Sequence, residues 1–352
     1  MLRLLDLDGH LMPEQESGRW DKATVRALFR DLLLTRRLDE EAYHLQRQGE
    51  LGLWLSCQGQ EAAQVGSIRA LRNEDYVFPS YREHGVGLCR GLSPAELLTQ
   101  WRGTAHGGWD PSKYRLQVNT LVLGAQLLHA TGYAHGINLD RKRHQTSDEI
   151  VACYVGDGAT SEGDASEAFN WAAVAHAPIL FFCQNNQWAI STPSSAQTKL
   201  PLHERAAGFG IRSTLVDGND VLAVYQATSE SAQRIRSGGG PEFIEAVTYR
   251  MQGHSTSDDP GRYRDSADLA EWQSRDPLTR VRLLLEDQNW ADQDFFDAVN
   301  AAADELAIET RSACQALTPR ELEEVFRSTY VEETPQLATE RQAFTTWKES
   351  FA

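Results

Sequence analysis

The sequence lacks the features that mark secreted and membrane-spanning proteins. Its five cysteines, Cys57, Cys89, Cys153, Cys183 and Cys314, form no CxxC pair. Their odd number and absence of pattern suit a reducing compartment, and we expect Cys153 and Cys183 to be buried in core strands. No apolar run is long enough to cross a bilayer. The N-terminal stretch MLRLLDLDGHLMPEQE has early acids and no signal-peptide core, so we expect a cytoplasmic protein.

Positive charge is also scarce, with 34 Lys and Arg against 50 Asp and Glu and a formal net charge of -16. This balance argues against a surface for nucleic acid or for an anionic membrane, although it leaves room for a local basic pocket that binds phosphate. A hydrophobic content of 41% is ordinary for a globular protein. The 352 residues are enough for one large α/β domain with helical extensions, or for two domains.

The most informative stretch of the sequence predicts five consecutive elements. They are a strand over Ile150–Val155, a glycine turn over Gly156–Gly158, a helix over Ser161–Ala177, a second strand over Ile179–Cys183 and a turn at Asn185–Asn186. In a β-α-β unit both turns fall at the carboxyl ends of parallel strands, where open α/β sheets bind ligands. The helix N-terminus beside the glycines is a natural site for an anion. One carboxylate and one amide can converge there as oxygen ligands for Mg²⁺, with diphosphate oxygens completing the octahedron.

Periodicity and turn signals predict the remaining elements. They are a hairpin turn at Asp8–Gly9, helices over Asp21–Gln48, Gln60–Leu71, Val221–Arg236, Pro277–Glu286 and Asp292–Ala316, a helix beginning at Ser93, and strands over Asp75–Phe78, Thr214–Val216 and Phe243–Tyr249. The segment Val118–Gly136 predicts a core helix, packed either at a subunit contact or internally, and polar residues Asn138–Glu149 follow it. We expect a mobile loop over Ser194–Gly210, a polar loop over Gly253–Asp268 and an acidic tail after Leu317.

Glycines around Asp157 do not form a known nucleotide motif by themselves. The third glycine of a dinucleotide fingerprint would fall at Ser161, and the sequence has no P-loop. The alternative interpretation of Gly156-Asp157-Gly158 taken alone is a tight turn between strand and helix that binds no ligand. Gly156-Asp157-Gly158 followed by Asn185-Asn186 at the end of the next strand is much more specific, and it resembles the thiamine-diphosphate-binding motif.

The surrounding sequence extends this resemblance to almost the whole chain, from about Asp21 to the C-terminal tail. Segments Ser161–Asp164, Asn185–Thr192, Val216–Asp220 and Gly253–Asp259 are similar to the α subunit of the heteromeric 2-oxo acid dehydrogenase E1 component. The sequences of 190–193 and 255–259 look closest to those of the branched-chain enzyme, and some bacterial pyruvate enzymes have similar sequences.

This resemblance implies the architecture of the chain. The implied fold is the α/β thiamine-diphosphate-binding fold, with a mainly parallel sheet, helices on both faces, an N-terminal helical arm and a C-terminal helical tail. The expected divisions are a hairpin and arm over 1–50, the cofactor-binding domain over 51–270 and a helical region over 271–352.

The same resemblance implies a set of ligands for the cofactor. Asp157, Asn186 and the carbonyl of Trp188 would hold Mg²⁺, and Tyr81 and Arg82 would grip the terminal phosphate of thiamine diphosphate. Without the resemblance, Tyr81 and Arg82 would be interpreted as a surface loop.

Other positions carried over from the family line the site or its loop. His254 would donate to phosphate or to the reacting group and assist proton transfer to the lipoyl arm. Arg250 would order the loop through Asp258 or Asp259. Ser255 matches a position that a kinase phosphorylates in mitochondrial members. The further cofactor contacts implied are Leu123, Gly156, Gly158 and Ala159, together with Ile190.

Two positions depart from the family. Gln184 stands where branched-chain members have Arg before the asparagines, so Arg82 and the helix N-terminus would carry more of the phosphate charge. Asn119–Gln126 replaces a more polar segment that binds a monovalent cation in some members. Thr120 and Gln126 are candidate ligands there, but Val122 and Ala125 are poor ones, so we expect no K⁺ site.

The cofactor also needs a glutamate beside its aminopyrimidine, and the sequence offers no convincing candidate. The resemblance implies that a β subunit supplies it in an α₂β₂ heterotetramer. The implied activity is oxidative decarboxylation of branched-chain 2-oxo acids with transfer of the acyl group to the lipoyl arm of E2. Pyruvate or acetoin is the alternative substrate, and a non-catalytic phosphate-binding or scaffold subunit is the alternative from a different class.

Overall fold

The computed structural model describes residues 1–13, 20–143 and 147–351 of the chain. The helices are α1 Lys22–Arg47, α2 Glu61–Ala70, α3 His84–Cys89, α4 Pro94–Arg102, α5 Pro111–Tyr114, α6 Ala125–Lys142, α7 Gly163–Val174, α8 Ser194–Gln197, α9 Leu202–Gly208, α10 Val221–Arg236, α11 Ser266–Gln273, α12 Pro277–Asp287, α13 Gln293–Ala316, α14 Leu322–Arg327 and α15 Pro335–Glu349. The strands are β1 Tyr76–Phe78, β2 Val151–Gly156, β3 Ile179–Asn185, β4 Trp188–Ala189, β5 Thr192–Pro193, β6 Arg212–Asp217 and β7 Glu242–Val247. Within the described ranges, no helix is long and apolar enough to cross a membrane.

A parallel sheet organises the molecule. Its strand order is β1-β2-β3-β7-β6, and every neighbouring pair runs parallel. Parallel strands need long crossovers, which helices supply here. The carboxyl ends of β2 and β3 therefore lie side by side at one edge, and the predicted mainly parallel α/β fold is confirmed. The antiparallel hairpin β4–β5 leaves this edge directly after β3.

Helices cover both faces of the sheet because alternate residues of each strand point to opposite sides. Val151 and Cys153 of β2 belong to the hydrophobic layer that contains α6 and α7. Ala152 and Tyr154 belong to the larger layer that contains α1, α2 and α10. Cys153 and Cys183 are fully buried, as predicted, and all five cysteines are free thiols.

Small residues of α2 allow it to lie directly against α10. A Cβ atom added at Gly66 would stand 2.8 Å from the carbonyl oxygen of Val221 and 2.9 Å from Cβ of Val224. Contacts this short cannot be relieved without moving backbone, so the glycine permits the close approach.

The N-terminal hairpin is tied to the start of α10 through Asp220. Its carboxylate accepts hydrogen bonds from the backbone N–H groups of Leu4 and Leu5 at 2.6 and 2.7 Å, and it caps α10 through Leu222 and Ala223. Arg280 of α12 forms an ion pair with it at 3.6 Å. One buried carboxylate thus joins three segments that are distant in sequence.

Two predicted boundaries are wrong. The helix expected from Val118 begins at Ala125, because Gly124 adopts a positive φ of 83° and the exposed residues 121–123 precede it. It also continues to Lys142, into the polar segment expected after it; residues 144–146 of that segment lie outside the described residues.

Two segments expected to be irregular contain helices. Within 194–210 the structure has α8 and α9, and Leu202 and Ala206 of α9 are buried in the same layer as Phe243. The polar loop expected to end at Asp268 stops earlier, because α11 begins at Ser266. The sequence after residue 317 forms α14 and α15.

Replacing Asp220 with Ala should lower the free energy of unfolding by about 3 kcal/mol, since four backbone N–H groups and Arg280 lose a buried acceptor. Asp21 caps α1 at the surface through Thr24, and Asp21→Ala should cost only about 1 kcal/mol. Urea unfolding of both variants measures the difference. Equal losses would contradict the role given to Asp220.

Candidate active site

A cavity of about 230 Å³ opens at the carboxyl ends of β2 and β3. Every residue that the resemblance implies as a contact of the cofactor or of the metal lines it. The residues that line it are Gln60, Ser80, Tyr81, Arg82, Glu83, Leu123, Gly156, Asp157, Gly158, Ala159, Glu162, Gln184, Asn186, Trp188, Ala189, Ile190 and His254. The folded chain thus brings together residues separated by up to about half of the sequence.

Asp157 follows β2 and is a buried carboxylate without a cationic partner. It is 3% exposed, and no Lys, Arg or His of the described chain forms an ion pair with it. Its Oδ2 accepts a hydrogen bond from the hydroxyl of Ser194 at 2.7 Å. Burial raises its pKa, and the hydrogen bond from Ser194 and the charge of Arg250, which lies beyond ion-pair distance, oppose that shift. A buried carboxylate in this condition is a favourable ligand for a metal cation, which would offset the cost of burying the charge.

The glycine after Asp157 lets the β4–β5 hairpin fold over the cavity. A Cβ added at Gly158 would lie 2.6 Å from Cβ of Ala189. The expected helix does not begin at this point, because a 3₁₀ turn over Gly158–Ser161 comes first and α7 starts at Gly163. The helix predicted over Ser161–Ala177 thus begins two residues later than expected, and the 3₁₀ turn stands between it and the glycines.

The two asparagines after β3 have different partners. Asn185 donates to Glu245 at 2.7 Å and accepts from the backbone N–H of Gln187 at 3.1 Å. Asn186 accepts from the backbone N–H of Trp188 at 3.2 Å and donates to Oε1 of Gln60 at 3.1 Å. Asn185 therefore holds the turn, whereas Asn186 contributes to the cavity wall.

Arg82 is buried between the two loops that flank the cavity. It donates to the carbonyl oxygen of Ser56 at 2.5 Å and to that of His254 at 2.9 Å. Its guanidinium carbon also lies 5.6 Å from the ring centre of Tyr81. The interpretation of this pair as a surface loop is wrong for Arg82, which is 5% exposed.

His254 lies on a loop that Arg250 and Asp258 hold in place. Asp258 accepts from the backbone N–H of His254 at 2.6 Å, and it forms an ion pair with Arg250 at 4.0 Å. Tyr263 bonds to both Asp258 and Arg250. Arg250 contacts Asp258, which is one of the two acids expected to order this loop.

The imidazole of His254 is neutral near neutral pH. Burial is the main cause, and the nearby guanidinium groups of Arg82 and Arg250 add to it, so that the pKa falls to about 4. Nδ1 lies 3.5 Å from Nη2 of Arg82, which can only donate. This arrangement favours the tautomer with the proton on Nε2, and the ring can then donate into the cavity.

Glu83 is a cavity residue that the sequence reasoning missed. It is buried, its carboxylate accepts a hydrogen bond from the amide of Gln184, and burial raises its pKa to about 7. The only sequence signal is an acid directly after the Tyr81–Arg82 pair. Gln184, which replaces the family's arginine, is therefore bonded to a carboxyl group at the base of the cavity.

The candidate monovalent-cation segment is also engaged with the core. The amide nitrogen of Gln126 donates to the carbonyl oxygen of Tyr154 at 3.0 Å, and Thr120 accepts from the backbone N–H of Val122 at 3.3 Å. Gln126 thus helps to anchor the start of α6 to β2.

Glu83 gives a pH-dependent prediction. The pKa of Glu83 in the folded chain lies above its ordinary value, because the buried site favours the protonated carboxyl group. The stability that this group contributes is therefore complete below the ordinary pKa and is lost as the pH rises through about 7. Between about pH 5 and about pH 8, the free energy of unfolding of wild type should fall by about 2.5 kcal/mol relative to that of Glu83→Gln. Urea unfolding at both pH values measures this. Glu162→Gln removes an exposed carboxylate from the same cavity and serves as the control. Parallel pH profiles for Glu83→Gln and wild type would contradict the assignment.

Comparison of the sequence with known proteins finds a family match and several relatives. The sequence model of the family described as "Dehydrogenase E1 component" matches residues 30–319. The chain is 44% identical over 343 residues to "3-methyl-2-oxobutanoate dehydrogenase subunit alpha" of Mycobacterium tuberculosis, covering 97% of this chain and 92% of the relative.

Two further relatives cover less of the chain. It is 38% identical over 296 residues to "Pyruvate dehydrogenase E1 component subunit alpha" of Staphylococcus aureus, covering 84% of this chain and 79% of the relative. It is 37% identical over 303 residues to the human mitochondrial "2-oxoisovalerate dehydrogenase subunit alpha", covering 83% and 67%.

Proposed function

Because the chain belongs to the dehydrogenase E1 component family, we propose that it is the alpha subunit of a branched-chain 2-oxo acid dehydrogenase. Members of this family use thiamine diphosphate, and an alpha subunit implies a beta-subunit partner. The higher identity to the M. tuberculosis 3-methyl-2-oxobutanoate enzyme than to the S. aureus pyruvate enzyme supports the branched-chain substrate.

The observation that carries the proposal is the buried carboxylate of Asp157, which shares one cavity with Asn186 and has no cationic partner in the described chain. Its oxygen, the amide oxygen of Asn186 and the carbonyl of Trp188 are hard donors of the kind that Mg²⁺ prefers. These residues would hold the ion. Arg250 donates weakly to the carbonyl of Trp188 at 3.4 Å, and it would share that oxygen with the metal.

The diphosphate end of the cofactor would lie against Arg82 and Tyr81. The guanidinium is held in position by two carbonyl oxygens, so its remaining N–H groups can meet phosphate without further loss of side-chain freedom. The further contacts proposed for the cofactor are the cavity residues Leu123, Gly156, Gly158, Ala159, Ile190 and His254.

Bound thiamine diphosphate supplies the nucleophilic carbon and the electron sink for loss of CO₂ from a 2-oxo acid. This chain would position the reacting groups. Neutral His254 can donate its Nε2 proton to an oxygen in the cavity, and it would assist the transfer of the acyl group to the lipoyl arm of E2.

An activating glutamate from a β subunit completes this assignment. Of the three acids in the cavity wall, Asp157 is assigned to the metal, Glu83 is bonded to Gln184, and Glu162 is exposed. We therefore assign the chain to an α₂β₂ heterotetramer whose cofactor lies between the subunits.

Asp157→Ala should weaken Mg²⁺-dependent binding of thiamine diphosphate by more than about a hundredfold, because it removes the charged metal ligand. Calorimetry of the assembly with its β partner measures the affinity. Asp164→Ala removes an exposed acid from the start of α7 and should bind as wild type does. Full affinity in the Asp157 variant would refute the metal assignment.

His254→Ala should reduce acylation of a lipoyl domain by roughly a hundredfold while sparing decarboxylation with an artificial electron acceptor. The two assays use the same reconstituted assembly, so differences in cofactor loading cancel. An equal loss in both assays would argue against a role in acyl transfer.

Pyruvate is the alternative substrate, and residues of the β partner contribute to that choice. The ratio of kcat/KM for 3-methyl-2-oxobutanoate to kcat/KM for pyruvate separates the two. We expect a ratio above about ten, because one or two methyl groups in an apolar pocket change kcat/KM by at least about that factor. A ratio below one would assign the chain to a pyruvate enzyme, and no turnover of any 2-oxo acid with cofactor bound would favour a scaffold.

A further inference from the structure

We propose that Ser194 and Gln60 are positioning residues that select which side-chain atoms of Asp157 and Asn186 face the metal, and that Ser194 thereby favours Mg²⁺ over Ca²⁺. The inference rests on the proposed cofactor function. It concerns atoms outside the ligand set and follows from their hydrogen bonds.

Ser194 is brought to Asp157 by the hairpin that leaves β3. Its backbone N–H donates to the carbonyl oxygen of Gln187 at 3.0 Å, which closes the excursion through β4 and β5. Its hydroxyl has one proton and two acceptors within reach, Oδ2 of Asp157 at 2.7 Å and Oδ1 of Asn185 at 3.2 Å. The carboxylate is the closer and more strongly charged acceptor, and Asn185 already accepts from Gln187. The proton therefore goes to Asp157.

This bond makes the two oxygens of Asp157 unequal. Oδ2 gives one lone pair to the hydrogen bond from Ser194, whereas no described side chain donates to Oδ1, so Oδ1 is the stronger donor to a cation. Mg²⁺ requires nearly ideal octahedral geometry with single oxygens, whereas Ca²⁺ accepts both oxygens of one carboxylate. The hydrogen bond weakens Oδ2 as a second ligand and therefore disfavours the bidentate mode that a larger ion would use.

Gln60 fixes the other ligand. The backbone N–H of Trp188 can only donate, so the atom of Asn186 that faces it at 3.2 Å must be the amide oxygen. The amide nitrogen then points to Oε1 of Gln60 at 3.1 Å, and this acceptor prevents a flip that would present N–H to the cation. The oxygen keeps a second lone pair for the metal.

The turn that carries Gln60 is itself rigid. Gly59 has a positive φ of 91°, and a Cβ there would stand 2.4 Å from the carbonyl oxygen of Tyr249. The carbonyl oxygen of Gly59 accepts from the hydroxyl of Thr248 at 2.6 Å. Gln60 is 1% exposed and directly precedes α2, so its side chain acts from a fixed backbone.

The first test compares metal affinities of the α and β assembly with thiamine diphosphate present, using calorimetry with Mg²⁺ alone and with Ca²⁺ alone. Ser194→Ala should weaken Mg²⁺ binding roughly tenfold and Ca²⁺ binding much less, so that the preference for Mg²⁺ falls. Ser194→Thr keeps the hydroxyl and should restore the preference. Ser195→Ala alters the exposed neighbour, which has no hydrogen bond in the structure, and should match wild type.

The second test uses the same titrations on Gln60. Gln60→Leu should weaken binding of both ions roughly tenfold because Asn186 loses its orienting acceptor, and Gln60→Glu, which retains an acceptor, should recover most of the affinity. Thermal unfolding of each assembly without metal checks that the variants are folded.

The possible outcomes separate the inference from the function on which it rests. If wild type shows no cation-dependent binding of thiamine diphosphate, the proposed function fails. If wild type binds but Ser194→Ala and Gln60→Leu retain its affinities and its preference, only the positioning inference is overturned. The inference is also overturned if Ser194→Ala loses Mg²⁺ and Ca²⁺ affinity by the same factor, or if neither conservative variant recovers binding.

Discussion

A buried negative charge at the end of β2 sets the requirements for the rest of the site. Asp157 is almost inaccessible to solvent, and no cationic side chain of the described chain pairs with it. Leaving such a carboxylate unpaired in the interior is costly. The fold supplies one hydroxyl, from Ser194, and a neighbouring amide oxygen from Asn186. A divalent cation, as proposed for this site, would account for both the missing charge and the choice of oxygen donors.

Two arginines, Arg82 and Arg250, hold the backbone of the loops that form the other wall of the cavity. Arg82 bonds to carbonyl oxygens of two loops that are far apart in sequence. Arg250, fully buried, bonds to the carbonyl oxygen of Ile190 and to Tyr263, and it connects the β4–β5 hairpin to the loop of His254. These two cations also add to the burial that keeps His254 neutral, so structural and chemical roles are combined in the same side chains.

Short-range patterns in the sequence predict the core of this site well. The apolar strands, their order along the chain and the polar turns after β2 and β3 follow from periodicity and turn chemistry, and the parallel sheet then places Asp157 beside Asn186. The roles of Tyr81, Arg82 and His254 needed the family resemblance, because their loops carry no periodic signal.

Other features depend on tertiary contacts that one sequence does not encode locally. The 3₁₀ turn after Asp157 and the late start of α6 follow backbone conformations at single residues. The burial of α9 beneath β6 and β7 makes a helix of a segment that its polar composition predicts as a loop. Glu83 and Gln60 become relevant only when strand ends and turns converge, so no spacing rule identifies them.

The most direct test of the metal assignment is a crystal structure of the assembly with its β partner, grown with thiamine diphosphate and Mn²⁺ in place of Mg²⁺. We expect one anomalous peak in the cavity, about 2.0–2.2 Å from an oxygen of Asp157, the amide oxygen of Asn186 and the carbonyl oxygen of Trp188. A bound cofactor with the peak away from Asp157 and Asn186, for instance only at the surface group of Asp6, Asp8 and His10, would contradict it.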